Sequence, residues 1–425
     1  MWLGALLNIG DKVDYNGPPS LFFFKMKDNI GEGSYGKVRV VSHRKSKQAY
    51  ALKYMSKDRI VRKRAVKCTI MERDILEKLN HDFVVNLRYA FQDDDTCFLV
   101  LDLMLGGDLR VHHRIHKRFP EQTVRIWFTE LSGAIAYLHR QGIVHRDIKL
   151  DNILLDSLGH AHLSDFNVAT HFDQNVPLQG MAGTFTYMAP EMFRKHGYSC
   201  AVDWWALAVM TFELLVGQKP FRTPVFANTQ NRDRSEELVY ATTLGWETAK
   251  ARLPPHGSTF CSEPGLELLS QMLQNDVNKR LGTGMQPGAQ ELVVLRAHPW
   301  FKEVNFSAVE RKEAVTGFLP DPRSSVDPIH NINEHVISPS FLKARNFDYD
   351  KDTSNMRPDL RALHERFHAY DWERSDSFSK QARRKAKRPG SLQLLAEDAI
   401  PERPSSSFSD PPVASPTSAT FSQNG

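Results

Sequence analysis

Long apolar runs are missing from this chain of 425 residues. Nothing approaches the roughly 18 to 20 consecutive apolar residues of a membrane span, so a helical membrane protein is not expected. Cysteine is scarce: Cys68, Cys97, Cys200 and Cys261 are scattered, with no C-x-x-C pair and no even framework. That argues against a disulfide scaffold and a structural zinc, and fits reduced thiols in an intracellular compartment. Charge of one sign is also lacking. A formal net charge of +5 is small for this length and argues neither for a nucleic-acid coat nor against one; no nucleic-acid partner is expected. The opening MWLGALL is too short for a signal-peptide core and has no basic start, so secretion is not expected either. What is present is ordinary for a soluble protein of one large or two smaller folded units: 41% apolar and 25% charged residues, enough to bury a full core.

The chemistry lies in two short stretches on either side of an apolar run: His145 to Asn152, HRDIKLDN, and Ser164 to Asn167, SDFN. They resemble the catalytic and metal loops of protein kinases, whose signature set is well known. Moving a γ-phosphoryl group to a hydroxyl needs a carboxylate at the nucleophile, a cation on the transferred charge, and oxygen ligands for Mg²⁺. Asp147, Lys149, and the pair Asn152 with Asp165 would supply these in turn. Taken singly, Asp147 could cap a turn and Asp165 could end a strand; both at kinase spacing favour the catalytic reading.

Upstream, Gly31, Gly33 and Gly36 form a G-x-G-x-x-G that runs on through Val38, Val40 and Val41. In dinucleotide folds the last glycine opens a helix; a continuing strand instead favours a hairpin lid over phosphates, with Ile30 and Val38 against the base. The strand Tyr50-Ala51-Leu52-Lys53 resembles the one whose lysine grips the α- and β-phosphates. Its partner would be Glu72 in the helical segment Val66 to Leu79, where Glu72, Leu76 and Leu79 fall near one face. By resemblance, Leu101 is the gatekeeper, the Asp102 carbonyl and Met104 amide pair with adenine, Asp108 lies near the ribose, and Leu154 lines the base.

Farther on, Trp127 to Leu138 reads as a buried helix with Phe128, Leu131, Ile135 and Leu138 on one stripe. By resemblance, Glu191 would pair with Arg280, and Asp203 would hold the backbone of the catalytic loop. Over about 22–301 the chain resembles an AGC-group serine/threonine kinase, most like the YANK family, on FVVNLRYAFQDDDTCFLVLDLMLGGDLR and GHAHLSDFNVA. The resemblance implies an α+β, two-lobed kinase fold: a small β-rich lobe at about 22–103 and a larger, mainly helical lobe at about 104–301. It also implies ATP with Mg²⁺, or Mn²⁺ in its place, protein substrates presenting Ser or Thr, and an upstream kinase or scaffold as partner. The expected compartment is the cytoplasm, with the nucleus and membrane periphery open as further sites. The alternative is a catalytically silent scaffold. It requires a missing catalytic part, and only Asn167, in place of the usual glycine, speaks for it.

Asn167 is read as a tolerated swap, because asparagine accepts left-handed φ best after glycine. Residue 2 is Trp2, where N-myristoylation requires glycine, so no lipid anchor is expected. Positions 1–21 are an extension, and 302–374 resemble the tail that AGC kinases wrap around the small lobe. In that tail Phe367 and Trp372 are expected to dock beside the Glu72 helix, with Asp371 standing in for a phosphate. From 375 to 425 the Ser/Pro-rich composition predicts disorder; the basic cluster Arg383 to Arg388 fits anionic lipid, an import receptor or plain solvation equally well. By resemblance the activation segment runs to Met188-Ala189-Pro190-Glu191; no Ser, Thr or Tyr occurs from His171 to Gly183, and the aligned phosphosite is Gly180. Arg146 must then find another anion, with Asp173 the nearest in sequence, or remain only partly satisfied. Asp108, Asp151 and Glu213 would attract basic substrates, whereas Arg110, His113 and Arg114 would favour acidic ones.

Overall fold

The computed structural model describes residues 13–32, 36–194, 197–221, 242, 245–254, 260–283, 287–320 and 354–375. Gly33, most of 222–257 and the basic cluster lie outside them.

The chain begins with three antiparallel strands, β1 (Phe24–Glu32), β2 (Gly36–His43) and β3 (Ala49–Ser56). Helices α1 (Lys57–Arg62) and α2 (Val66–Lys78) follow, then β4 (Leu87–Gln92) and β5 (Thr96–Asp102). The sheet order is β1-β2-β3-β5-β4, with a two-residue strand from the tail added at the β4 edge. Its register sorts the side chains by function. Val38 pairs with Lys53, Lys53 with Leu99, and Ala51 with Leu101, so these residues share one face. The opposite face carries a separate aromatic cluster of Phe24, Tyr50, Tyr89, Phe91 and Phe98, against which Val13, Tyr15 and Leu21 of the N-terminal extension pack.

Below the sheet come α3 (Leu109–His116), α4 (Glu121–Arg140), β6 (Ile143–Val144), β7 (Ile153–Leu155), β8 (Ala161–Leu163) and β9 (Thr170–His171). The Asp108 carboxylate starts α3 by accepting from the Val111 amide at 2.8 Å, a side-chain cap. Helix α5 (Ala201–Val216) is buried all round and ends where Gly217 takes φ 83°, the left-handed stop that glycine permits. Then follow α6 (Trp246–Lys250), α7 (Glu263–Met272), α8 (Ala289–Arg296) and α9 (Phe306–Glu310). Trp127, Trp204, Trp205 and Trp300 lie fully buried among them. Glu191 and Arg280 form a buried two-pronged ion pair at 2.7 and 2.9 Å, anchoring the end of the activation segment.

The tail serves both lobes. Phe318 packs edge-on against Phe119 and Trp127 of the helical lobe. Helix α10 (Pro358–Arg366) lies on α1 and α2, with Leu363 and Phe367 fully buried. The strand β10 (Tyr370–Asp371) pairs with β4, Asp371 opposite Tyr89. Trp372 does not sit beside the Glu72 helix as expected. Its ring lies 4.5 Å from the Arg88 guanidinium on β4, because pairing with that edge carries the chain away from α2 after Phe367.

Candidate active site

Local geometry brings the two chemical loops together from different elements. The loop after β6 carries Asp147, Lys149 and Asn152; the turn after β8 carries Asp165. Lys149 Nζ donates to Asp147 Oδ2 at 2.7 Å, and Asn152 Nδ2 donates to the same oxygen at 3.0 Å and to the Asp147 carbonyl at 2.9 Å. The Thr184 hydroxyl donates to Asp147 Oδ1 at 2.7 Å and accepts from Lys149 at 2.8 Å. Asp147 is thus a carboxylate already holding a hydroxyl proton donor on one oxygen and a cation on the other.

Asp203, at the start of α5, supports this loop from below. It is fully buried, and its carboxylate accepts from the His145 amide at 2.9 Å and the Arg146 amide at 2.8 Å. Arg146 has φ 65°, a left-handed conformation costing roughly 1–3 kcal/mol that persists because its surroundings over-determine it. His139 completes the support, with one ring nitrogen 3.0 Å from Asp203 and the other 3.2 Å from Glu291. Burial alone would lower the His139 pKa, but hydrogen bonds to Asp203, Cys200 and Glu291 raise it well above its ordinary value. Burial pushes Asp203 up, yet His139 and the loop outweigh it and hold the carboxyl below its ordinary range. No motif in the sequence points to His139.

On the small lobe, Lys53 Nζ contacts Glu72 Oε1 at 2.7 Å and lies 3.8 Å from Asp165 Oδ1. Burial would lower an isolated ammonium, but Glu72 and Asp165 more than compensate and raise Lys53 above its ordinary value. Glu72, Leu76 and Leu79 all turn inward. At Asn167 the left-handed φ given as the reason for the swap does not occur. The left-handed φ falls on Asp165, at 63°, and Asn167 is not among the positive-φ residues. Asn167 instead accepts from Lys53 through its side-chain oxygen at 3.2 Å, a contact glycine cannot make. Phe166 is buried edge-on to His145, with ring centres 5.0 Å apart.

The nucleotide side of the cleft is formed by backbone as much as by side chains. Residues Gly106 and Gly107 bond to Leu155, and Asp108 bridges to Leu154, which brings β7 beneath the strand exit at Asp102 to Met104. The Asp102 carboxylate pairs with Arg88 at 2.6 and 3.0 Å, stiffening that exit. Gly31 faces open space, with only the Val38 Cβ near it, as close approach to a ligand requires. Gly36 has a different reason: a Cβ there would lie 1.7 Å from the Tyr54 carbonyl oxygen, so packing of β2 on β3 dictates it. Ile30, Val38, Ala51 and Leu154 are carried by β1, β2, β3 and β7 respectively.

Arg146 does not reach Asp173. Its guanidinium donates to the Val168 carbonyl at 2.8 Å and the Tyr198 hydroxyl at 3.2 Å, two neutral acceptors contributed by elements distant in sequence.

The donor set around Asp165 and Asn152 fits a hard divalent cation. Asp165 offers a carboxylate 38% exposed, and Asn152 commits its amide nitrogen to Asp147, leaving the side-chain oxygen as the atom able to ligate. A carboxylate paired with a lysine, an ion-paired lysine on a strand and nearby oxygen donors suit the chemistry of phosphoryl transfer. The comparisons agree. The protein kinase domain model matches residues 24–301. The chain is 36% identical over 334 residues to serine/threonine-protein kinase 32B of Homo sapiens, covering 76% of this chain and 74% of that protein. It is 36% identical over 355 residues to serine/threonine-protein kinase 32C of Homo sapiens (82% and 68%). It is 34% identical over 312 residues to serine/threonine-protein kinase AtPK1/AtPK6 of Arabidopsis thaliana (73% and 62%). The chain belongs to the protein kinase family, whose members use ATP and a divalent metal.

Proposed function

We propose that the protein is an active serine/threonine kinase of the AGC group, most similar to the YANK family, that uses ATP with Mg²⁺, or Mn²⁺ in its place. The observation that carries this reading is the Asp147 carboxylate, which accepts a threonine hydroxyl on one oxygen while Lys149 holds the other. Asp147 orients a substrate hydroxyl and takes its proton; Lys149 stabilises charge on the transferred group. Lys53, held by Glu72, binds phosphate oxygens. Asn152 and Asp165 would hold the metal, which would neutralise phosphate charge as it develops. Asp102 and Met104 present backbone to the adenine, Asp108 lies toward the ribose, and Ile30, Gly31, Gly36, Val38, Ala51 and Leu154 enclose the nucleotide. The cytoplasm is its proposed location, and an upstream kinase or scaffold its proposed regulatory partner.

The test is phosphate incorporation by the purified full chain from Mg·ATP into a mixed Ser/Thr peptide library. Wild type is expected to label peptides, and Asp147→Ala to lose roughly 10²–10⁴-fold in rate. No labelling by wild type, or equal labelling by the variant, would replace the enzyme with a scaffold.

A further inference from the structure

Beside the catalytic loop the chain buries an arginine of its own. Arg110, in the first turn of α3, has a side chain only 14% exposed. Its guanidinium donates to Glu213 Oε1 at 2.7 Å, to the Tyr187 hydroxyl at 2.5 Å and to Asp151 Oδ2 at 3.1 Å. The Tyr187 hydroxyl donates in turn to Glu213 Oε2. Glu213 is buried, whereas Asp151 is 45% exposed, so this nest of acceptors opens to solvent on the Asp151 side.

The position gives this cluster its meaning. Asp151 immediately precedes Asn152, whose amide holds Asp147. Tyr187 ends the helical turn that follows Thr184, whose hydroxyl donates to Asp147. Two short segments therefore carry both the proton acceptor and two walls of the arginine pocket. A peptide that offers its hydroxyl to Asp147 must pass close to Asp151.

Resting on the kinase reading above, we propose that Arg110 is a specificity-determining residue. It fills from within a carboxylate-lined guanidinium pocket beside the phosphoacceptor, so that the enzyme takes Ser/Thr peptides that are neutral or acidic where they face it. An internal guanidinium already in place competes at an effective concentration that a dilute substrate arginine does not match. The planar fork also engages both carboxylates and the phenol at once, so a second cation meets acceptors that Arg110 already holds. Lys219, 4.6 Å from the centre of the Tyr187 ring, adds positive charge beside the phenol. The opposed charges of Asp151, Glu213 and Arg110 are thus spent largely on one another.

The experiment compares full-length wild type, Arg110→Ala and Arg110→Gln on matched Ser/Thr peptides that carry Arg or Ala at each position near the acceptor. Each is scored by the ratio of kcat/KM for the Arg peptide to that for the Ala peptide. Wild type is expected to give ratios at or below one throughout. Each variant is expected to raise the ratio about tenfold or more at one position, because Asp151 and Glu213 are then left to be paired by the substrate. Free guanidinium should inhibit that gained reaction and leave the wild type unaffected. Arg110→Gln keeps an amide donor for Glu213 and carries the comparison if Arg110→Ala does not fold, as read by circular dichroism. A wild-type preference for Arg about tenfold or greater, or folded variants with wild-type ratios at every position, would overturn the proposal. Failure of the kinase reading looks different: wild type labels no peptide, or Asp147→Ala labels as well as wild type.

Discussion

Asp203→Asn removes a charge and one acceptor from the centre of the catalytic support. The Asp203 Oδ1 accepts from Arg146 N, and Oδ2 accepts from His145 N and faces His139. Asparagine has one oxygen for these three donors. The least costly placement keeps that oxygen on His145 and His139 and turns the amide NH₂ toward the Arg146 amide, where two donors then face each other. Charge is lost as well, and breaking a buried ion pair by removing one partner costs about 3–5 kcal/mol. The orphaned amide belongs to a residue at φ 65°, so its strain of roughly 1–3 kcal/mol loses its restraint and the loop can relax. Asp147 follows directly, and a shift on the order of 1 Å there costs about 10²-fold in rate. Urea unfolding should show a loss of about 3–5 kcal/mol, and steady-state assays a fall in kcat with the KM for ATP little changed, since Lys53 and Glu72 lie on the other lobe. A loss below about 1 kcal/mol with an unaltered kcat would refute the reasoning, because Asp203 would then not hold the loop.

The His139 imidazolium is expected to show in the pH dependence of stability. Its folded pKa is raised, so its stabilisation is full below the unfolded value of about 6.5 and is lost as pH rises through the folded value. Asp203, lowered in the fold, contributes above its unfolded value of about 3.9 and loses that contribution as pH falls through its folded value. The stability gap between wild type and His139→Gln, from urea melts across pH, should therefore be greatest between about pH 4 and 6.5 and narrow at alkaline pH; a gap that widens at alkaline pH contradicts this. Asn167→Gly removes the acceptor on Lys53 and should cost about 1–2 kcal/mol by the same melts, part of it recovered by water because Lys53 is 18% exposed. Phe367→Ala, at a fully buried site, should cost about 3–5 kcal/mol in stability and lower activity by loosening α10 from α2; unchanged melting and activity would detach the tail from that role. Phosphatase treatment should leave basal activity intact, because Arg146 is engaged by neutral acceptors; loss of activity with phosphate mapped to Thr184 or Thr186 would show ordinary activation-segment control.

The sequence by itself determined the parts whose chemistry is held in contiguous residues. HRDIKLDN and SDFN specify a carboxylate, a lysine and oxygen donors within short loops, and their backbone spacing leaves little freedom in how they are presented. The inward turn of Glu72 was equally legible, because helical periodicity places it on the face of Leu76 and Leu79. Tertiary structure decided which side chain answers which across the fold. It gave Arg146 the Val168 carbonyl and Tyr198 rather than Asp173, gave Asn167 to Lys53 rather than to a left-handed turn, and set Trp372 on Arg88. It also placed His139 between Asp203 and Glu291, and Arg110 between Asp151 and Glu213. Long polar side chains have many rotamers, and opposite charges are common along any chain. Only the packing of helices and loops far apart in sequence removes the alternatives and leaves each guanidinium or imidazole the partners it can reach.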